Sequence, residues 1–114
     1  MYYTYMLRCS DNSIYTGITT DLNRRMNEHF NKLDVAAKYT HSHTAVKLET
    51  AWESDNKSLA SRLEYYIKHL SKADKEMLIL CGDLDLYLGD KIDRNDYRAM
   101  WNSPIFIYYI FLPS

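Results

Sequence analysis

The sequence predicts a single α+β domain, and three observations carry that prediction. Two β-prone runs, Tyr2 to Cys9 and Ile14 to Ile18, flank the turn chemistry of SDNS at residues 10–13 and read as a β-hairpin. From Asp21 the apolar period changes to a helical one, and the same strand-to-helix change recurs between Val46 and Asn56. With 114 residues the chain has room for one domain with a modest core and is too short for two domains.

Each element has a local reason. A three-residue hairpin loop, Ser10 to Asn12, with Asn12 in the left-handed conformation that asparagine tolerates, sets Leu7 opposite Tyr15 and Tyr5 opposite Gly17. A two-residue loop instead sets Arg8 opposite Tyr15 and sends the two tyrosines to opposite faces. The three-residue register is preferred, because it leaves an open spot at Gly17 beside Tyr5 and explains a glycine at a strand end.

In the helix that follows, with Thr20 or Asp21 as N-cap, Met26, His29 and Leu33 fall within about 40° of Leu22. Arg24 points away from this stripe. Arg25 borders it about 60° from Leu22, one turn before His29.

Residues 34–45 form a polar loop, and Val46 to Trp52 alternates as a third strand. A second helix is expected from about Asn56 to Ser71, capped by Ser54 or Asp55, with Leu59, Leu63, Tyr66, Ile67 and Leu70 inward and Glu64 at the margin. SKADKEMLIL starts a further short helix that Cys81-Gly82 ends. An acidic segment then leads to the apolar tail IFIYYIFL, which suits an added strand, a dimer contact or an aggregation-prone end; packing on the domain is the expectation.

Composition narrows the function classes. The formal charge is −1, and residues 1–80 hold eleven Lys/Arg against ten Asp/Glu, so any affinity for a polyanion has to be local or metal-assisted. Eleven tyrosines suit sheets, interfaces and base stacking equally. Cys9 and Cys81 lack CxxC spacing and form no disulfide framework, and no signal-peptide pattern opens the chain, so a cytoplasmic location is expected. The longest apolar run, Ile105 to Leu112, falls well short of the roughly 20 residues of a membrane span.

Two tyrosines, an arginine, a histidine and a carboxylate at the margins of one core suit phosphodiester cleavage. A carboxylate holds a divalent metal, an arginine neutralises the phosphate, and a tyrosine or histidine handles protons. Since a free tyrosine has a pKa near 10, a neighbouring cation or hydroxyl has to stabilise its anion. The structural alternative for Arg25 and Glu64 is an ordinary salt bridge at the edge of the core.

The stretches YTYMLRC, IYTGITTDLNRRMNEH and RLEYYIKHLSKADK, in this order across residues 2–80, resemble the GIY-YIG nucleases, and in particular their small stand-alone, mostly bacterial members. In the half-motifs, the first glycine is Tyr3 and the isoleucine of the second is Thr16. The resemblance implies a three-stranded antiparallel sheet flanked by helices, in a nuclease domain at 1–80 with an extension at 81–114. It implies an endonuclease that hydrolyses DNA with one Mg²⁺ or Mn²⁺.

Carried over residue by residue, it gives Tyr5, Tyr15, Arg25, His29 and Glu64 as catalytic, with Glu64 the metal ligand and Tyr5 the favoured base. Gly17, Lys38, Tyr39, His41, Lys68 and Lys72 become substrate-binding candidates. His41 and His43 otherwise read as a solvated loop rather than a metal site, Lys68 and Lys72 as solvated helix charges, and Tyr65 and Tyr66 as packing. The near-neutral charge keeps a non-catalytic DNA-binding or protein-recruiting module in view, and it favours single-stranded or structured DNA as partner, where stacking supplements phosphate contacts.

Overall fold

The computed structural model describes residues 1–31 and 43–100. Leu33, Lys38, Tyr39, His41 and the apolar tail, for which the sequence carries expectations, lie outside the described residues. Strand β1 (Tyr2–Cys9) is central, with β2 (Ile14–Thr19) on one side and β3 (Ala45–Ser54) on the other, both antiparallel to it. A two-residue strand β4 (Arg98–Ala99) pairs outside β3, so among the described residues the sheet has the order β2-β1-β3-β4 and four strands, where three were expected. Nothing in an exposed Arg-Ala pair signals a strand; Arg98 is held there by Glu53 at 2.8 Å and Asp55 at 3.0 Å.

Helices cover both faces of β1, which is why this strand shows no clean polar alternation. Tyr5 and Leu7 point into a core made with Leu22 and Met26 of helix α1 (Leu22–Phe30) and with Ala45, Leu48 and Ala51 of β3. Met6 points the other way, into a core with Trp52 and with Leu63 and Ile67 of helix α2 (Lys57–Lys68). Helices α3 (Lys72–Cys81) and α4 (Leu84–Leu88) add Leu78, Leu84 and Leu88 to this second core. Ile92 and Tyr97 complete it, the Tyr97 hydroxyl donating to the Leu59 carbonyl at 2.7 Å.

The hairpin has the three-residue loop and the preferred register. Asn12 has φ 69°, Cys9 and Ser13 close the turn, Tyr5 faces Gly17 and Leu7 faces Tyr15. In the β1–β3 pairing the register shifts twice, leaving Glu49 and Val46 as extra residues on β3. Glu49 accepts from the Arg8 guanidinium, which also pairs with Glu76 of α3 and so ties that helix to the sheet.

Helix ends follow short polar side chains. Asp21 caps α1, accepting from Arg24 N, and Ser71 caps α3, which ends at Gly82 with φ 68°. The cap of α2 is Asn56, accepting from Leu59 N at 2.9 Å, and not Ser54 or Asp55. Ser54 is still part of β3, and Asp55 is engaged by Arg98. The second helix also stops at Lys68 instead of Ser71, because Ser71 opens the next helix. No described helix is long and apolar enough to cross a membrane.

Candidate active site

The register of the hairpin places two phenol rings on one face of the sheet, and α1 closes over them. Tyr5 is 1% exposed, and its hydroxyl lies 2.7 Å from Nε2 of His29, which is fully buried. The rings of Tyr5, Tyr15 and His29 form a triangle, with centroids 6.2 Å apart for the two tyrosines and 5.6 and 5.4 Å from each to the imidazole. Leu22, Met26 and His29 share the buried face of α1, so the helical spacing of apolar residues carries the histidine into the sheet.

The space at Gly17 is filled, in contrast to the open spot expected from the sequence. A Cβ there would lie 2.6 Å from the Tyr5 hydroxyl oxygen, 2.8 Å from its Cζ and 3.0 Å from Cε2 of Tyr15. The glycine therefore gives clearance to Tyr5 itself.

Arg25 and Glu64 complete the set from two different helices. Arg25 is half-buried, with Glu28 one turn ahead accepting from its guanidinium at 2.9 Å, and its charge and hydrogen bonding act on the Tyr5 hydroxyl. Glu28 was not singled out from the sequence, although an i,i+3 carboxylate beside an arginine is a legible pairing. Glu64, on the margin of α2, also acts electrostatically on Tyr5 and pairs with Lys68 at 3.3 Å. Arg25 and Glu64 thus pair with Glu28 and Lys68 and not with each other, so the ordinary edge salt bridge between them is not formed.

Burial governs the protonation states. Loss of hydration pushes the Tyr5 phenol well above its usual range, and the nearby Tyr15 adds to this while Arg25 opposes it. Burial also holds the His29 imidazole down to about 4; Arg25 adds to the shift and Glu28 opposes it. At neutral pH the pair is therefore a phenol beside a neutral imidazole. The two share a hydrogen bond at 2.7 Å, in which the phenol donates when Nε2 of His29 carries no proton.

Of the other candidates, Lys68 is at this cluster through Glu64, whereas Lys72 is drawn into the Arg8–Glu76 network. His43 pairs with Asp11 at 2.6 Å, at the tip of the hairpin. Tyr66 is half-buried against the second core, and Tyr65 is 55% exposed.

Comparison with known proteins converges on one family. The profile of the GIY-YIG catalytic domain matches residues 1–77. The chain is 47% identical over 78 residues to the UPF0213 protein FN1575 of Fusobacterium nucleatum, covering 68% of this chain and 76% of that one. It is 50% identical over 78 residues to the UPF0213 protein VNG_2274C of Halobacterium salinarum, with 68% and 99% covered. A solution NMR structure of the UPF0213 protein BH0048 from Bacillus halodurans shares 40% identity, with a TM-score of 0.42 over 70% of this chain and 84% of that one.

Proposed function

The chain belongs to the GIY-YIG family, and from that premise we propose that it is a metal-dependent endonuclease hydrolysing phosphodiester bonds in DNA. The observation that carries this reading is the convergence on one hydroxyl. The phenol of Tyr5 is 2.7 Å from a neutral imidazole and lies within the influence of Arg25 and Glu64.

A single carboxylate fits the proposed cation. Mg²⁺ and Mn²⁺ keep several waters and take one or two carboxylates together with phosphate oxygens. Glu64 is an oxygen donor with 24% of its side chain exposed, and no group of three or more His, Cys, Asp and Glu gathers for a closed site among the described residues. Bound at Glu64, the cation would supply charge stabilisation to the phosphate oxygens during displacement.

The chain's own residues divide the remaining work. Tyr5 is the base: in its phenolate form, which the Arg25 charge favours against the cost of burial, its oxygen takes a proton from the attacking water. Arg25 binds the phosphate and stabilises the negative charge that develops on it, with Glu28 fixing the orientation of its guanidinium. Tyr15 is less buried than Tyr5, and its ring orients the substrate side of the cluster. Gly17 lets the Tyr5 hydroxyl sit against β2, and Lys68 supplies a second cation for the backbone.

The test is cleavage of labelled single-stranded and duplex DNA in Mg²⁺ or Mn²⁺ by wild type, Glu64→Ala and Arg25→Ala. Both variants should lose at least ~10²-fold in rate while remaining folded, since each removes a charge aimed at the transition state. Folded wild-type protein that cuts neither substrate would overturn the nuclease reading and leave a binding module in its place.

A further inference from the structure

We propose that the exposed Tyr65–His69 pair on α2 is a stacking platform for an unpaired base of the DNA strand, which makes single-stranded or locally melted DNA the substrate. The proposal rests on the nuclease reading and deepens it. Tyr65 is 55% exposed, one of few large apolar side chains so placed among the described residues, yet it is held firmly. The His69 ring lies over it with centroids 4.2 Å apart and planes 34° from parallel, and Tyr66 meets it edge-on at 5.1 Å. Nδ1 of His69 is 2.6 Å from the Tyr65 carbonyl oxygen, to which it donates, and this fixes the imidazole against rotation. An aromatic surface already ordered loses little freedom on binding, and every nucleobase offers a flat face to it.

Charge and position point to a nucleic acid as occupant. Arg62 lies one turn before Tyr65 and Lys68 one turn after, both exposed, so the aromatic pair is flanked by two cations along the helix surface. Lys68 is also the partner of Glu64 at 3.3 Å, and Glu64 is the residue preceding Tyr65. A strand whose phosphate is held at Arg25, next to the cation site at Glu64, would continue past Lys68 onto the aromatic pair. A base within a duplex is already stacked on both faces and has no face to offer, so the platform selects an unpaired one. Local contacts also account for the low net charge of −1: part of the affinity comes from stacking instead of from a broad basic surface.

The experiment measures binding of the full chain, in EDTA to prevent cleavage, to a labelled oligothymidylate and to an abasic oligomer of the same length and charge. Wild type should bind the oligothymidylate about tenfold or more tightly than the abasic strand, as stacking one base implies. Tyr65→Ala should abolish that preference with abasic binding unchanged, and Tyr65→Phe should keep it. Because Tyr65 is exposed, thermal melting of each variant should match wild type. Wild type that binds both strands equally, or Tyr65→Ala that keeps the preference, overturns the platform alone. Wild type that binds neither strand overturns the platform, and the DNA reading falls with it when the cleavage assay in Mg²⁺ or Mn²⁺ also shows no cutting.

Discussion

Replacing Gly17 by alanine tests the geometry of the cluster directly. The new methyl carbon would lie 2.6 Å from the Tyr5 oxygen, whereas ordinary contact begins near 3.4 Å, so the hydroxyl has to retreat by about 0.8 Å. Tyr5 is 1% exposed and packed among Leu7, Leu22, Met26, Leu48 and Ala51, which leaves the ring little room, and retreat breaks its 2.7 Å contact with His29. Overpacking costs ~1–3 kcal/mol and the lost hydrogen bond ~1 kcal/mol. Alanine returns ~0.5–1 kcal/mol, since glycine is the poorer strand residue. The net loss is ~1–3 kcal/mol, a fall in Tm of roughly 5–15 °C for a domain of this size. Titration of the His29 imidazole by NMR should move from about 4 toward the ordinary value of 6.5 as its surroundings loosen. On the proposed nuclease function, a displacement approaching 1 Å should also lower the cleavage rate by ~10²-fold. A Gly17→Ala protein with wild-type Tm and an unmoved His29 titration would refute the close packing of Tyr5 on β2.

Two further consequences concern stability. His29 binds its proton near pH 4 in the folded chain and near 6.5 in the unfolded one, so the unfolded state takes up more protons between these values. The contribution of the neutral imidazole is complete above pH 6.5 and is lost as pH falls through 4, amounting to at most ~3 kcal/mol. Urea midpoints measured from pH 7 to 4 should show this slope in wild type and not in His29→Gln. Glu76, held down to about 2 chiefly by Arg8, governs a lower window, with loss beginning below pH 4.5. Arg8→Ala should cost ~2 kcal/mol, because it removes the bridge between Glu49 and Glu76, and an unchanged urea midpoint would reduce the bridge to an ordinary surface pair. Arg8→Lys should recover less than half, since one ammonium cannot engage two carboxylates as a guanidinium does.

Much of this site was legible because local rules act on it without competition. Turn chemistry set the register at Asn12, and the register alone places Tyr5 against Gly17. Helical spacing placed His29 on the face of Leu22 and Met26, and Arg25 at its border. What escaped the sequence depended on contacts between distant segments. The cap of α2 passed to Asn56 because β3 runs on through Ser54 and Arg98 engages Asp55, and no local pattern records either event. The strand at Arg98–Ala99 exists only because the edge of β3 is there to pair with it. The filling of the Gly17 position by Tyr5 is likewise a matter of packing depth, which a register cannot give.

The division of the molecule into two cores on either side of β1 has a consequence for the order in which the protein is made. Tyr5, Tyr15, Arg25 and His29 all belong to the first thirty residues, and Tyr5 roots in the core closed by α1. Glu64 stands on α2, which is anchored through Leu63 and Ile67 in the other core, with Met6 and Trp52. During synthesis the half that carries the tyrosines, Arg25 and His29 leaves the ribosome well before the half that carries Glu64 exists. The cluster therefore stays incomplete until the later helices dock beneath the sheet, and a chain released early carries the tyrosines without the carboxylate.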